Sequence, residues 1–160
     1  MVVRPYDKRD LEAVTEIWNA VVEEGNAFPQ TEPLTAGEAK IFFAGQTRTG
    51  VLEEEGELLG LYILHPNNVG RCGHIANASF AVKKGDRGHG VGERLVRDCL
   101  MQGRSLGFRL LQFNAVVSGN RRAIMLYEKL GFHRLGTIPG GFQLPDGTYT
   151  DIYLFYIELI

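Results

Sequence analysis

Three glycines crowd into five positions of the segment DRGHGVGERL, residues 86–95. The segment joins an apolar run, HIANASFAV, to a run whose apolar residues recur at helical spacing. Glycine inside a helix costs roughly 0.5–1 kcal/mol relative to alanine, so a strand-to-helix junction this rich in glycine needs a reason. Either the turn is conformationally demanding, or a ligand approaches the main chain very closely there.

The composition limits the class of protein that this chain can be. A chain of 160 residues with 44% apolar and 22% charged residues is typical of one globular domain, which we predict over residues 1–160. The net charge of −2 predicts no attraction to nucleic acid or to anionic membranes. The N-terminus has no apolar signal core, no apolar run reaches the ~18 residues of a membrane span, and two cysteines make no disulfide framework. We therefore expect a cytoplasmic protein.

The order of strand, helix and turn patterns predicts an α/β protein (mixed α+β) with elements β-α-α-β-β-β-α-β-α-β-β. VVRPY is a short strand, Asp7 is placed to cap the first helix, and Thr35 with Glu38 forms a capping box for the second. A hairpin turns near Glu55–Gly56, and Gly131 ends the last helix before two closing strands. We predict one mixed sheet with helices on its faces.

A strand that leads through glycines into a helix is an arrangement that binds phosphate, because the first N–H groups of a helix have no intrahelical acceptor. Gly88, Gly90 and Gly92 would let a diphosphate approach, and Arg87 would add a charged donor. A tight turn without any ligand is the simpler alternative. A P-loop is excluded because Glu93 follows the glycines where Lys is needed, and the dinucleotide fingerprint fits poorly because its spacing and its acidic residue are both missing.

Two motifs resemble those of the GCN5-related N-acetyltransferases, the GNAT family. Residues 87–92, RGHGVG, fit its acetyl-CoA signature [RQ]-x-x-G-x-[GA], and NRRAIMLYEKLGF fits its second signature, N-x-x-A-x-x-[LF]-Y-x-x-x-G-F. They occur in the family's order and at about its spacing, and the predicted element order is also that of the family. The resemblance therefore covers the whole chain and implies a sheet splayed between its fourth and fifth strands.

The resemblance implies that acetyl-CoA is the co-substrate and lies in that splay, and it implies no metal. Phe80, Ala81 and Val82 would offer backbone groups to the pantetheine arm, and Asn120 would contact the pantetheine or the phosphates from a helix cap. The residues implied to bind the diphosphate form one segment: Arg87, Gly88, His89, Gly90, Val91 and Gly92.

For catalysis, the resemblance implies that Tyr127 hydrogen-bonds the thioester sulfur and acts as general acid, although a core aromatic role is the alternative. A backbone N–H near Val82 would stabilise the negative charge on the thioester oxygen. The base stays open: His65 and His74 have suitable unperturbed pKa values, and a water relay is the third option. Cys72 with His74 supplies only half of a metal site.

Two segments resemble particular acceptor branches. IWNAVVEEGNAFPQTEPLT is similar to the helix and loop of phosphinothricin acetyltransferases, which places Phe28 over the acceptor. RCGHIANASFAV and QFNAVVSGN resemble fungal azetidine-2-carboxylate acetyltransferases, which places Asn77 and Asn114 at the substrate carboxylate. The implied acceptor is a small amino acid or an analogue of one. The alternatives are a protein N-terminal or lysine acetyltransferase and a non-catalytic acyl-CoA-binding module. A homodimer through the last strands is a further expectation from the resemblance.

Overall fold

The computed structural model describes all 160 residues and contains one seven-stranded mixed sheet with four α-helices. In chain order the elements are β1 (Val2–Pro5), α1 (Leu11–Glu24), α2 (Ala36–Ala44), β2 (Arg48–Glu54), β3 (Glu57–Pro66), β4 (Ile75–Val82), α3 (Val91–Ser105), β5 (Leu110–Val117), α4 (Arg121–Lys129), β6 (His133–Gln143) and β7 (Tyr149–Glu158). The strands lie in the order β1-β2-β3-β4-β5-β7-β6. The predicted element order and fold class are confirmed. No helix is both long and apolar enough to cross a membrane.

The sheet opens between β4 and β5. These strands are parallel, but they pair only at Ile75–Leu110 and Ala76–Leu111, near the start of each strand. All other neighbours in the sheet are antiparallel, and β3 pairs with β4 along its length from Gly60–Val82 to Pro66–Ala76. Beyond the two parallel pairs the strands diverge, so that one edge of β4 lacks a strand partner.

Each face of the sheet has its own hydrophobic core. On one face, α1 and α2 pack against the inward side chains of β2, β3 and β4 around Trp18 and Phe43. On the other face, α3 and α4 pack against β3, β4, β5 and β7 around Leu95 and Phe155. The sheet therefore separates the molecule into two halves that meet at the opening between β4 and β5.

The boundaries differ from the sequence pattern in three places. Asp7 caps a short 3₁₀ turn, residues 8–10, that precedes α1, because its side chain accepts from the Arg9 N–H at 3.0 Å. Ile41 belongs to an apolar run of α2, residues 41–43, yet its side chain is 77% exposed, whereas Phe43 is buried. The apolar stripe of α3 ends before Leu106, which follows the helix and is half exposed. The Thr35–Glu38 capping box is present as expected.

The start of α1 is tied to β1 through a buried ion pair. Arg4 donates to both carboxylate oxygens of Asp10 at 2.8 and 2.9 Å, and the Asp7 N–H donates to the same carboxylate at 2.9 Å. Asp10 is only 6% exposed. The hydrogen bonds from Arg4 hold the pKa of Asp10 below its usual range.

We expect Asp10→Ala to lower the free energy of unfolding by about 2 kcal/mol, because Arg4 and the Asp7 N–H lose their shared acceptor while Glu53 still accepts from Arg4 at 3.2 Å. The sign of the pH dependence follows from the lowered pKa: the contribution of Asp10 is present above its unfolded-state pKa, about 3.9, and is lost as the pH falls through the folded-state pKa. Urea unfolding from pH 3 to 7 measures both effects. Glu23→Ala, an exposed carboxylate one residue before the end of α1, is the control, and equal losses in the two variants would contradict the prediction.

Candidate active site

A cavity of about 760 Å³ occupies the opening in the sheet. Its walls come from β4, β5, the start of α3 and α4, and from the loop that follows α1. The residues expected to form the site that do line this cavity are Phe28, Asn77, Phe80, Val82, Arg87, Gly92, Asn114, Asn120 and Tyr127. Residues from both of the acceptor segments and from both signature motifs therefore meet in one place.

The glycine loop, residues 88–92, leads directly into α3. Gly88 and Gly90 have φ values of +85° and +83°, which L side chains rarely adopt, and Gly90 is the N-cap residue of the helix. No side chain caps the helix, and its first bond runs from the Arg94 N–H to the Gly90 carbonyl at 3.2 Å. The N–H groups of residues 91–93 therefore lack intrahelical acceptors, as an anion-binding helix end requires.

Other members of the loop contribute in different ways. Gly88, His89 and Gly90 are exposed just outside the cavity walls. Val91 is 1% exposed and its side chain packs in the core with α3, so only its backbone N–H faces the loop. Gly92 lies in the cavity wall itself.

We expect Gly90→Val to weaken CoA binding by more than about tenfold, because a branched side chain intrudes at the phosphate-facing turn. Isothermal titration with CoA measures this. Gly56→Val is the matched control, since Gly56 has a similar φ of +81° and lies in the β2–β3 turn, so it carries the same backbone strain away from the cavity. Unchanged affinity in Gly90→Val would show that the glycines serve only the turn.

The free edge of β4 presents backbone groups to the opening. The Lys83 N–H donates to the Leu59 carbonyl at 2.8 Å, and because antiparallel bonding alternates, Ala81 bonds β3 while Phe80 and Val82 direct their N–H and C=O groups toward β5. Ala81 is 1% exposed and packs in the core with α1, so the structure does not bring its side chain to the cavity. Phe80 and Val82 supply the backbone groups expected there.

Asn120 is the N-cap residue of α4, and Tyr127 lies in its second turn. The Ala123 N–H donates to Asn120 Oδ1 at 3.4 Å, and Asn120 lines the cavity with its amide nitrogen unbonded within the chain. The Tyr127 ring packs against Phe113, Phe132 and Phe155, at centroid separations of 4.5, 5.3 and 6.0 Å. Its hydroxyl has no hydrogen-bond partner within the chain, and burial raises its pKa, so it remains a proton donor at neutral pH.

Asn77 and Asn114 meet through a third asparagine. Asn77 Nδ2 donates to Asn67 Oδ1 at 3.0 Å, and Asn114 Nδ2 donates to the same oxygen at 2.6 Å. Gln112 Nε2 in turn donates to Asn114 Oδ1 at 3.0 Å. We call Asn67, Asn77 and Asn114 the amide cluster. It joins the residue after β3, the start of β4 and the middle of β5, on the sheet face that α1 covers.

The loop after α1, residues 25–34, covers this side of the cavity. Phe28 is 8% exposed and packs on Trp18 with ring centroids 4.4 Å apart. The far end of the loop is fixed by Asn19, whose side chain exchanges two hydrogen bonds with the Leu34 backbone at 2.8 and 2.9 Å. Asn26, Ala27 and Pro29 also line the cavity.

Arg87 does not extend freely into the cavity. Its two terminal nitrogens donate to the two carboxylate oxygens of Glu24 at 2.8 and 2.6 Å. Glu24 is the last residue of α1 and the only carboxylate in the cavity wall. The side chain expected at the phosphates is therefore paired with an acidic residue from the opposite side of the opening.

Neither histidine considered as a base lines the cavity. His65 lies opposite Asn77 on β3, with Nδ1 2.9 Å from the Pro66 carbonyl oxygen, and His74 is exposed in the turn before β4. No group of three or more His, Cys, Asp or Glu side chains is arranged to hold a metal ion. Cys99 is 1% exposed, and burial raises the pKa of its thiol above the usual range.

Three site residues were missed by the sequence analysis: Glu24 and Arg122 line the cavity, and Asn67 bonds the lining residues Asn77 and Asn114 without lining the cavity itself. The segment VVEEG and the pair Asn67–Asn68 gave no motif signal. Arg122 does lie within the second signature, at a position that the signature leaves unspecified.

The family model of the acetyltransferase (GNAT) family matches residues 11–132. N-acetyltransferase aca1 of Schizosaccharomyces pombe is 30% identical over 91% of this chain and 78% of that protein. YwnH of Bacillus subtilis, a candidate phosphinothricin acetyltransferase, is 32% identical over 99% of both chains. The predicted family and the resemblance to the phosphinothricin branch are confirmed.

Solved structures agree on the fold. A GCN5-related N-acetyltransferase from Kribbella flavida superposes with a TM-score of 0.90 at 32% identity, over 98% of this chain and 96% of that one. YncA of Salmonella typhimurium, solved with acetyl-CoA, gives a TM-score of 0.93 at 22% identity, over 100% and 94% of the two chains. The chain belongs to the acetyltransferase (GNAT) family. It is an enzyme of the acetyl-CoA-dependent N-acetyltransferase class, as expected.

Proposed function

We propose that the enzyme acetylates the amino group of a small amino acid or amino-acid analogue, and that the donor and the acceptor are bound together. The observation that carries this proposal is the amide cluster at the covered end of the cavity. Its remaining N–H groups are suited to a carboxylate, and no charged side chain lies in hydrogen-bond contact with it. The loop with Phe28 encloses this end, which favours a small acceptor over a peptide.

The residues present fit the acetyl donor. The uncapped start of α3 and the positive-φ glycines suit a diphosphate, and the open backbone of Phe80 and Val82 suits an arm that contains amides. When bound, acetyl-CoA supplies an activated thioester. We propose that Phe80, Val82 and Asn120 hold the pantetheine arm and that the glycine loop holds the phosphates.

Only a few groups of the chain take part in the proposed chemistry. The Tyr127 hydroxyl lies in an aromatic setting that keeps it protonated, and we propose that it donates a hydrogen bond and then a proton to the sulfur. The Val82 N–H, directed into the opening, stabilises the charge that develops on the thioester oxygen. Because no unpaired carboxylate or histidine lines the cavity, we assign deprotonation of the incoming ammonium to water at its mouth.

An acceptor panel tests the assignment. Thiol release from acetyl-CoA would be followed with small amino acids, with phosphinothricin, methionine sulfoximine and azetidine-2-carboxylate, with matched amines that lack the carboxylate, and with short peptides. We expect kcat/KM to be highest for a carboxylate-bearing small amine. A preference for peptides would support the protein acetyltransferase alternative, and the absence of turnover with any amine, alongside normal CoA binding, would support a binding module.

A further inference from the structure

The pairing of Arg87 with Glu24 changes the electrostatics of the glycine loop. The guanidinium uses both terminal nitrogens on one carboxylate, and this contact lowers the pKa of Glu24, which therefore stays ionised at neutral pH. Arg87 is 33% and Glu24 27% exposed, so neither charge is fully screened by water. A diphosphate that approaches the loop from this side meets a pair with no net charge.

A second cation lies on the loop from the other side. The guanidinium of Arg122, at the second position of α4, lies 3.6–3.9 Å from the point that a Cβ on Gly88 would occupy. Arg122 lines the cavity and has neither an ion-pair nor a hydrogen-bond partner within the chain. The Arg122 guanidinium therefore has no counter-charge in the chain, and it lies beside Gly88, where the loop carries no side chain.

Glu24 connects the glycine loop to the acceptor end of the cavity. It is the last residue of α1, and residues 26–29 of the following loop line the same cavity as Asn77 and Asn114. The rest of that loop is held by Phe28 on Trp18 and by Asn19 on Leu34. The Arg87–Glu24 contact thus joins the loop after α1, residues 25–34, which we call the acceptor-side loop, to the glycine loop. The two residues are 63 positions apart in the sequence.

We propose that Arg87 is a positioning residue that fixes the acceptor-side loop through Glu24, and that the cation facing the diphosphate is Arg122. The role of Arg87 rests on the proposed function only in that some amine binds beneath that loop. The role of Arg122 depends on the binding of the acetyl donor alone. Arg122 therefore takes the phosphate-facing role that the acetyl-CoA signature would give to Arg87.

Titration of the apoenzyme with CoA and with dephospho-CoA tests the role of Arg122. We expect Arg122→Ala to lose about tenfold or more in affinity for both probes, because the contact is to the diphosphate that they share. Arg94→Ala, an exposed and unpaired arginine in the first turn of α3, is the control and should change affinity less than about threefold. A loss confined to CoA would place Arg122 at the 3′-phosphate and overturn the assignment.

The same titration separates Arg87 from the phosphates. We expect the double variant Glu24→Gln/Arg87→Gln, which removes both charges of the pair together, to keep CoA affinity within about threefold of the wild type. A loss in this double variant as large as that in Arg122→Ala would overturn the proposal. Because this measurement needs no acceptor, a wrong acceptor class leaves its result intact.

The coupling to the loop is tested by steady-state kinetics with the best amine of the panel. We expect Glu24→Gln and Arg87→Gln each to raise the KM of the amine about fivefold or more, with kcat at saturating amine unchanged. The double variant should match either single variant, because both remove one contact. Additive effects, or a loss of kcat without a change in KM, would overturn the positioning role. If the enzyme turns over another amine but no amino acid, the proposed acceptor class is wrong. The KM comparison of the Glu24 and Arg87 variants is then made with that other amine and remains valid.

Discussion

Replacing Tyr127 with Phe is expected to lower kcat by roughly 10²–10⁴-fold while acetyl-CoA affinity stays nearly constant. The substitution keeps the ring packed against Phe113 and Phe132 and removes only the hydroxyl, which has no other partner in the chain. A phenol whose pKa is raised by burial is a weak acid in the resting site, so its proton is available when a thiolate leaves. Single-turnover measurements with saturating amine isolate that step from product release.

Tyr156→Phe provides the matched control, since Tyr156 is a half-buried tyrosine on β7 that does not line the cavity. It should leave kcat within about twofold of the wild type. If Tyr127→Phe retains near wild-type kcat in single turnover, the residue is part of the core and the proton reaches the sulfur by another route. CoA titration of both variants excludes an effect through binding.

Replacing Asn77 or Asn114 with Ala is expected to lower kcat/KM for a small amino acid by ~10–150-fold, the equivalent of a hydrogen bond to a charged group worth about 1.5–3 kcal/mol. A matched amine without the carboxylate should be almost unaffected, because it does not use the contact. Both side chains converge on Asn67 Oδ1, so their remaining N–H groups lie close enough to bind one carboxylate. The double variant should therefore lose less than the sum of the two single variants.

Asn68→Ala is the control for this series, because Asn68 is exposed and bonds only its neighbour, the Val69 N–H, at 2.7 Å. Asn67→Ala extends the series: with its oxygen removed, the other two amides lose their common acceptor, and we expect a loss as large as that of either direct substitution. Equal losses of kcat/KM for the amino acid and for the matched amine would show that the amide cluster supports the strands. The assignment of an amino-acid acceptor would then fail.

The fold was predictable because its signals are local. Capping residues such as Thr35, turn residues such as Gly56 and Gly131, and the apolar spacing of α1 each act within a few residues of themselves. A local pattern does not decide which side chains are buried where tertiary packing determines the outcome. Ile41 follows an apolar pattern, but α2 packs through Ala39 and Phe43 and leaves Ile41 in solvent.

The candidate site was only partly predictable. Residues within a motif, such as Tyr127 and Asn120, could be found because their order along the chain is itself the signal. Contacts between distant segments could not: Glu24 meets Arg87 across 63 residues and Asn67 meets Asn114 across 47. Such pairs depend on how the diverging strands are placed, which no short pattern encodes. The single-domain organisation, the homodimer and the individual site roles stay predictions.

The sheet separates two hydrophobic cores, and the opening between β4 and β5 is where the two sides of the sheet communicate. Tyr127, which we propose faces the donor, packs with the core beneath α3 and α4, whereas Phe28 in the loop after α1 belongs to the separate core beneath α1 and α2. Substitutions that reshape the acceptor pocket therefore need not disturb the packing that holds the donor. A fold divided in this way is free to change its substrate repertoire on one side while conserving its chemistry on the other, and the Glu24–Arg87 contact is the place where such changes would be constrained.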